Sequence, residues 1–417
     1  MKKDRYIFAL IIYGIVLLAS AGICSYAFPG DVSVAVNGGE SLVEPDTSGT
    51  TKPTSAPAVP SPTAPPVNPT LPAQPDDSMQ GEGEAQPNPS ETDPWELMTA
   101  ATTKEWREVI GNRCIVIPKP EAAVPEQEII FLSSERPIDR SIDLEFQGCS
   151  FKKYEYEELE RIANGSYFAT EPLADSGDPL EEILQLSTVQ EDGSCHIYLE
   201  LLLDKAYAYS VYETESYYFV ALNDAKKAHE KIVVLDAGHG GWDTGTPSAD
   251  GQYFEKDINL QVLLYLEELL KQEDIKVYLT RTEDHNVNQK DRIRLANDLC
   301  ADMFISIHCN NAYQNPDVQG TEVLYTQYQD GQEGLNSKKL ARICQEELVK
   351  ELQLQDRGLV ANGEELTVLQ EAEVPAAVVE LAFMSSPNDM EALKDEETLR
   401  SAAKALYQAI LRAYEGT

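Results

Sequence analysis

Residues 232–260 read IVVLDAGHGGWDTGTPSADGQYFEKDINL, and the order of residue types in this stretch decides the fold. A short apolar run, Ile232 to Leu235, leads into Asp236, His239 and the pair Gly240-Gly241. A polar loop follows, then Glu255, and behind it Leu260, Leu263, Leu264 and Leu270 near one face of a helical pattern. His239 is therefore expected at the end of a buried strand and Glu255 in the first turn of a helix, where the helix dipole favours a carboxylate. A second apolar run, Met303 to Ile307, ends at His308, and a third, Ala376 to Val379, ends at Glu380. Strand ends of one parallel sheet share an edge, and open α/β sheets place their sites there. Two histidines and two glutamates are thus expected to converge.

The pattern extends from Lys231 to the C-terminus. Strand Ile232 to Leu235 is followed by helix Lys256 to Lys271, strand Lys276 to Thr280 and helix Asn288 to Leu299. Strand Met303 to Ile307, a strand near Thr321 to Tyr325, helix Ser337 to Leu352, the strand ending at Glu380 and helix Thr398 to Tyr414 complete it. Strand–helix alternation predicts an α/β catalytic domain over residues 229–417, with a central, mostly parallel sheet flanked by helices.

A hydrolytic zinc takes three protein ligands and keeps one position for water, and two His with one Glu is a common set. His239, Glu255 and His308 suit the ligand roles. Glu380, after four apolar residues, suits the base that takes a proton from water, because a carboxylate at that depth is costly unless paired or functional. Cys309 alternates to the opposite face of its strand from His308, so it is not expected to add a sulfur ligand.

LDAGHGG, FEKDINL, TRTED, RIRLAN, ADMFISIHCN and PAAVVELAFMSSPND occur in this order, and together they resemble the zinc-dependent N-acetylmuramoyl-L-alanine amidase family of the Amidase 3 type. The resemblance covers about Lys231 to Thr417. It implies a zinc hydrolase acting on peptidoglycan, which cuts the amide between the lactyl group of N-acetylmuramic acid and L-alanine of the stem peptide. It implies zinc on His239, Glu255 and His308, and catalysis by Glu380. Arg281 and Arg292 match the family's pattern, and ion pairs with neighbours such as Asp284 and Asp302 are expected for them. Asn310 matches a position that is Asp or Asn in the family, whereas Cys309 stands where alanine is usual. Asp236 is placed to hold a ligand from behind. The alternatives are a non-catalytic wall-binding protein with an amidase-like fold, or a zinc peptidase cutting stem-peptide bonds. Some family members carry a long inhibitory helix before the last strand, and the stretch from Cys309 to Val379 is too short for one.

Upstream the chain changes character three times. Residues 1–28 combine a basic start, KKDR, with an uncharged run from Tyr6 to Phe28. That length fits an N-terminal transmembrane anchor with the remainder outside the cell, signal cleavage and secretion being the alternative. Residues 29–94, with PTSAPAVPSPTAPPVNPTLPAQP, read as a disordered Pro/Ser/Thr-rich linker. Residues 95–228 read as a small, mostly-β domain with strands at Ile129 to Leu132, Ile142 to Phe146, His196 to Leu203, Ala206 to Tyr212 and Tyr217 to Leu222, and a helix at Tyr154 to Ala163. Its late strands resemble the AMIN domain that precedes cell-wall amidases, which implies binding rather than chemistry. One disulfide among Cys114, Cys149 and Cys195 is compatible with export. The acidic balance, 71 Asp plus Glu against 33 Lys plus Arg, argues against nucleic acid as a partner and for a soluble monomer.

Overall fold

The computed structural model of the chain describes residues 113–124, 128–150, 160–163, 166–168, 179–213, 217–313, 315–328, 333–361 and 366–416. The expected anchor at 1–28 and linker at 29–94 lie outside the described residues, and among these no helix is long and apolar enough to cross a membrane.

The first module is built of strands β1 (Cys114–Pro118), β2 (Ile130–Arg136), β3 (Ser141–Cys149), β4 (Glu160–Ala163), β5 (Ser166–Phe168), β6 (Leu180–Val189), β7 (Cys195–Leu203), β8 (Ala208–Glu213) and β9 (Tyr217–Asn223). They form two antiparallel sheets, in the order β5-β4-β1-β9-β8 and β2-β3-β7-β6. Alternate residues of the central strands face inward and make one core: Ile115 and Ile117 of β1, Ile142, Leu144 and Phe146 of β3, Ile197, Leu199 and Leu201 of β7, and Val220 and Leu222 of β9. Phe131 stacks on Tyr218 inside it, with ring centroids 4.1 Å apart.

One expectation fails here, and one possibility is not taken up. The helix expected at Tyr154 to Ala163 gives way, in its described part, to β4, whose Ile162 pairs with Cys114 of β1. An open flank of β1 needs backbone partners, and pairing overrides a weak helical pattern. The disulfide is absent: Cys114, Cys149 and Cys195 are free, although Cys149 and Cys195 face each other across β3 and β7.

A short helix, α1 (Ala225–Ala228), leads into the second module: β10 (Ile232–Ala237), α2 (Glu255–Leu270), β11 (Lys276–Leu279), α3 (Gln289–Asp298), β12 (Met303–Asn310), β13 (Thr321–Tyr325), α4 (Ser337–Leu352), β14 (Asp356–Ala361), α5 (Thr367–Gln370), β15 (Ala376–Phe383), α6 (Pro387–Leu393) and α7 (Glu396–Glu415). Its described strands form one sheet in the order β11-β10-β12-β15-β13-β14. All pairings are parallel except that of β13 with β15, so the sheet is mixed.

Helices cover both faces of this sheet. Val233, Leu235, Ile305, Ile307 and Val379 pack under α2, α4 and α7. Val234, Phe304 and Val378 pack under α3 and α5, and Ala206 and Ala208 of the β module join this second core. The central strands are therefore apolar on both faces, as their uninterrupted apolar runs require. The two modules also share ion pairs: the Arg140 guanidinium grips Asp298 through two bonds of 2.7 and 2.8 Å, and Lys276 pairs with Glu135 at 2.8 Å.

Candidate active site

The strand order puts the C-terminal ends of β10, β12 and β15 side by side. Beyond β10, Gly238 prolongs the ladder, its N–H donating to the Ile307 carbonyl at 3.0 Å. A Cβ on Gly238 would lie 2.1 Å from His308 Cε1, so glycine is what allows the imidazole to cross the strand end. His239 follows with φ 63°, a left-handed conformation uncommon for a residue with a side chain.

Two buried guanidiniums hold this turn. Arg292 donates to the carbonyl oxygens of His239 at 2.7 Å, Ala237 at 2.7 Å and Val287 at 3.0 Å, and to Asp236 Oδ1 at 2.6 Å. Arg281 donates to the carbonyls of Ala237 at 2.9 Å, Gly238 at 3.0 Å and Lys256 at 2.8 Å, tying the turn to the start of α2. Asp236 also accepts from Thr280 Oγ1 and Ser306 Oγ, each at 2.6 Å. Burial raises its affinity for a proton, but Arg292 and the two hydroxyls outweigh that and keep it ionised.

The expected pairing of the arginines with Asp284 and Asp302 is thus corrected. Asp284 is taken by Lys256 and the Gly241 N–H, and Asp302 by Lys226, the Ile232 N–H and Tyr414. Buried carbonyls that would otherwise lack donors claim Arg281 and most of Arg292.

Glu255 opens α2 and is almost fully buried. Its Oε1 lies 3.1 Å from His239 Nε2 and 3.0 Å from His308 Nδ1, and accepts the Cys309 N–H at 3.1 Å. Its Oε2 accepts the Thr246 N–H at 2.8 Å. Burial alone would raise the carboxyl's pKa, but the two imidazoles hold it well below the usual range. The imidazoles meet edge to face with centroids 5.0 Å apart. His239 Nδ1 stands 3.0 Å from Asp243 Oδ1, without the alignment of a hydrogen bond. Burial lowers the pKa of His239, and the contacts with Glu255 and Asp243 more than reverse this, lifting it to about 9.

One ligating atom each from His239, Glu255 and His308 lie within 4.8 Å of one another. Two imidazoles and a carboxylate, one imidazole nitrogen of His239 lacking an aligned partner, match the donor set and count of a hydrolytic zinc site.

Glu380 completes the constellation. It is the register partner of His308 in β12 and of Glu322 in β13, so the three side chains share one face at the sheet edge. Its Oε2 is closed off from solvent and has no hydrogen-bond partner among the described residues. Burial is the main cause that pushes its pKa up to about 7; Glu255 and Glu322 add to it, while His308 opposes it. Such a carboxyl can both accept and return a proton near neutrality.

The remaining candidates stand at the margin. Asn310 donates to Glu322 Oε1 at 2.7 Å. Cys309 points into the opposite core, with Sγ 3.7 Å from Asn259 Oδ1, and burial keeps the thiol protonated. Asp243, Glu322 and Arg357 were not singled out in the sequence. Asp243 lies four residues after His239 in the quoted stretch. Glu322 and Arg357 sit on short flanking strands, and only the pairing of β13 with β15 and β14 brings them here.

Residues 233–412 match the family described as N-acetylmuramoyl-L-alanine amidase. YqiI of Bacillus subtilis (strain 168), an uncharacterized protein, is 35% identical over 191 residues, which are 46% of this chain and 88% of YqiI. The N-acetylmuramoyl-L-alanine amidase CwlM of Bacillus licheniformis is 33% identical over 188 residues, 44% of this chain and 68% of CwlM. Among solved structures, an N-acetylmuramoyl-L-alanine amidase from Clostridium difficile 630 is 34% identical, covering 45% of this chain and 98% of that one, with a TM-score of 0.42.

Proposed function

The chain belongs to the N-acetylmuramoyl-L-alanine amidase family, and from that premise we propose that it is a zinc-dependent, extracytoplasmic hydrolase of peptidoglycan. The bond cut is the amide between the lactyl group of N-acetylmuramic acid and L-alanine of the stem peptide. The observation that supports this best is the meeting of His239 Nε2 and His308 Nδ1 on one oxygen of Glu255, at 3.1 and 3.0 Å, with Glu380 next in the row.

In this reading His239, Glu255 and His308 hold the zinc. When bound, zinc lowers the pKa of a water towards about 7 and polarises the amide carbonyl. Glu380 takes a proton from the attacking water, and the water oxygen bonds to the carbonyl carbon. Glu380 then returns the proton to the alanine nitrogen as the C–N bond breaks, so the products are a lactyl carboxylate and a free peptide amine. Arg281 and Arg292 hold the His239 turn, and Asp236 holds Arg292. Residues 1–28 anchor the chain in the membrane, residues 29–94 space the enzyme from it, and the β module, AMIN-like in its late strands, binds the wall. The enzyme acts as a monomer.

Digestion of purified cell wall followed by mass spectrometry tests the reading. Intact stem peptides beginning with L-alanine are expected, and a chelator should stop their release, with zinc restoring it. Peptides cut within the stem would replace the amidase by a peptidase.

A further inference from the structure

The row at the sheet edge continues past Glu380. Glu322, its partner in β13, has both oxygens engaged: Oε1 by Asn310 Nδ2 at 2.7 Å and Oε2 by Arg357 Nε at 2.7 Å. Arg357 stands on β14, and its Cζ lies 4.9 Å from the centre of the Phe383 ring, while Phe383 is the register partner of Asn310. The guanidinium is therefore fixed along one edge by Glu322 and across one face by Phe383. Among the described residues its two Nη atoms have no hydrogen-bond partner, and the side chain is 31% exposed. A pairing needed only to neutralise Glu322 would favour the two-bond fork that arginine offers a carboxylate. Here Nε alone is used, and the Nη edge stays free.

The row His308, Glu380 and Glu322 leads across the sheet to this free edge. In the reading above the scissile amide sits between the zinc ligands and Glu380. β14 is two strands beyond β15 in the sheet, roughly 10 Å at ~4.8 Å per strand, and Glu322 draws the guanidinium back across part of that gap. The stem peptide leaves the scissile nitrogen through L-alanine, and its second residue is a glutamate joined through its side chain, with its main-chain carboxylate free or amidated. About two residues of extended chain, ~7 Å, separate that carboxylate from the scissile nitrogen.

We infer that Arg357 binds the free carboxylate of the second stem residue, so that the enzyme selects stems carrying that carboxylate over stems amidated there. The inference rests on the amidase reading and adds the group that reads the peptide. Arg357 acts as a substrate-binding residue, and Glu322, Asn310 and Phe383 aim it.

The test compares two soluble substrates with the full-length protein, both N-acetylmuramoyl-L-alanyl-D-glutamate with the glutamate side-chain carboxyl capped as an N-alkyl amide: one has its main-chain carboxylate free, and the other has that carboxylate as a primary amide. The wild type should favour the acid in kcat/KM by on the order of ten- to a hundredfold, mostly through KM. In Arg357→Met the acid-to-amide ratio should collapse to about one, and Arg357→Lys should restore part of it. Thermal unfolding and zinc content of both variants show that they are folded. A wild type that cleaves acid and amide equally, or an Arg357→Met enzyme that keeps the wild-type ratio, overturns the inference and leaves the amidase reading standing. Failure of the wild type to cleave purified wall or either compound overturns both.

Discussion

Arg292 Nη2 donates to the carbonyl oxygen of His239 at 2.7 Å, so a buried guanidinium, rather than a contact to the imidazole itself, fixes the left-handed turn that aims this histidine. Arg292 is in turn held by Asp236 at 2.6 Å, with the two side chains 4% and 1% exposed. A buried ion pair of this kind is costly to break from one side, because the partner is left uncompensated. Asp236→Asn is therefore expected to destabilise the protein by about 3 kcal/mol in chemical unfolding. It should also weaken zinc binding ~10-fold or more in competition with a chelator. Unchanged zinc affinity would remove Asp236 from the support of the site.

In the proposed mechanism Glu380 separates metal binding from turnover. Glu380→Gln should keep stoichiometric zinc and lose hydrolysis by about 10²- to 10⁴-fold, whereas His239→Ala should lose both. The same substitution has a signature in the metal-free protein. The folded carboxyl titrates near 7 instead of 4.5, so its ionised form is disfavoured by folding. Stability should fall as pH rises from about 4.5 towards 7, and Glu380→Gln should flatten that fall. A Glu380→Gln enzyme with wild-type turnover would end the mechanism.

The catalytic half was legible because its signals are local. The apolar runs Ile232–Leu235, Met303–Ile307 and Ala376–Val379 form strands as expected, although β12 runs past His308 to Asn310 and β15 past Glu380 to Phe383; α2 buries Ile258, Val262, Leu263, Leu266 and Leu270, whereas the expected Leu260 and Leu264 are only half-buried beside that stripe. What could not be read depends on pairing over long separations. β14 is a flanking strand whose residues are half-exposed or exposed, so it carries no apolar alternation, and Arg357 looked like any surface arginine. β6 is likewise a sheet edge with mixed exposure, and β4 owes its strand form to β1. Arg281 and Arg292 were expected to seek nearby acids. Only the fold shows that unpaired carbonyls at the end of β10 lie closer.

With His239 as a zinc ligand, as proposed, metal binding should release a proton. Its pKa in the metal-free fold stands near 9, above the ordinary 6.5. It therefore adds stability that is fully present below about 6.5 and is lost as pH rises through about 9. Zinc requires the unprotonated ring, so it competes with that proton. Apparent affinity should rise by up to about tenfold per pH unit on approaching that pKa from below. Calorimetry at pH 7 in two buffers of different protonation enthalpy, on the Glu380→Gln variant so that this carboxyl is silent, should show one proton or more displaced. A heat independent of buffer would mean that His239 is already neutral.

The joint between the modules contributes to the stability of the catalytic half. Ala206 and Ala208 lie in one core with Ile232, Val234 and Phe304, so cutting the chain before the catalytic region uncovers apolar surface on the α3 side of the sheet. Asp298, at the end of α3, would lose both Arg140 bonds and the Ala206 N–H that it accepts at 3.2 Å. A half-buried carboxylate that exchanges its ion pair for water loses about 1 kcal/mol, and the lost apolar contact adds ~25 cal/mol for each Å² uncovered. A fragment of residues 229–417 should therefore unfold several degrees below the protein that retains the β module, and should self-associate at concentrations where that protein stays monomeric. Arg140→Ala in the full chain should reproduce the loss of stability in part without self-association, since the apolar contact remains. Differential scanning calorimetry and sedimentation separate the two effects, and a fragment that matches the parent in both would show that the modules merely touch.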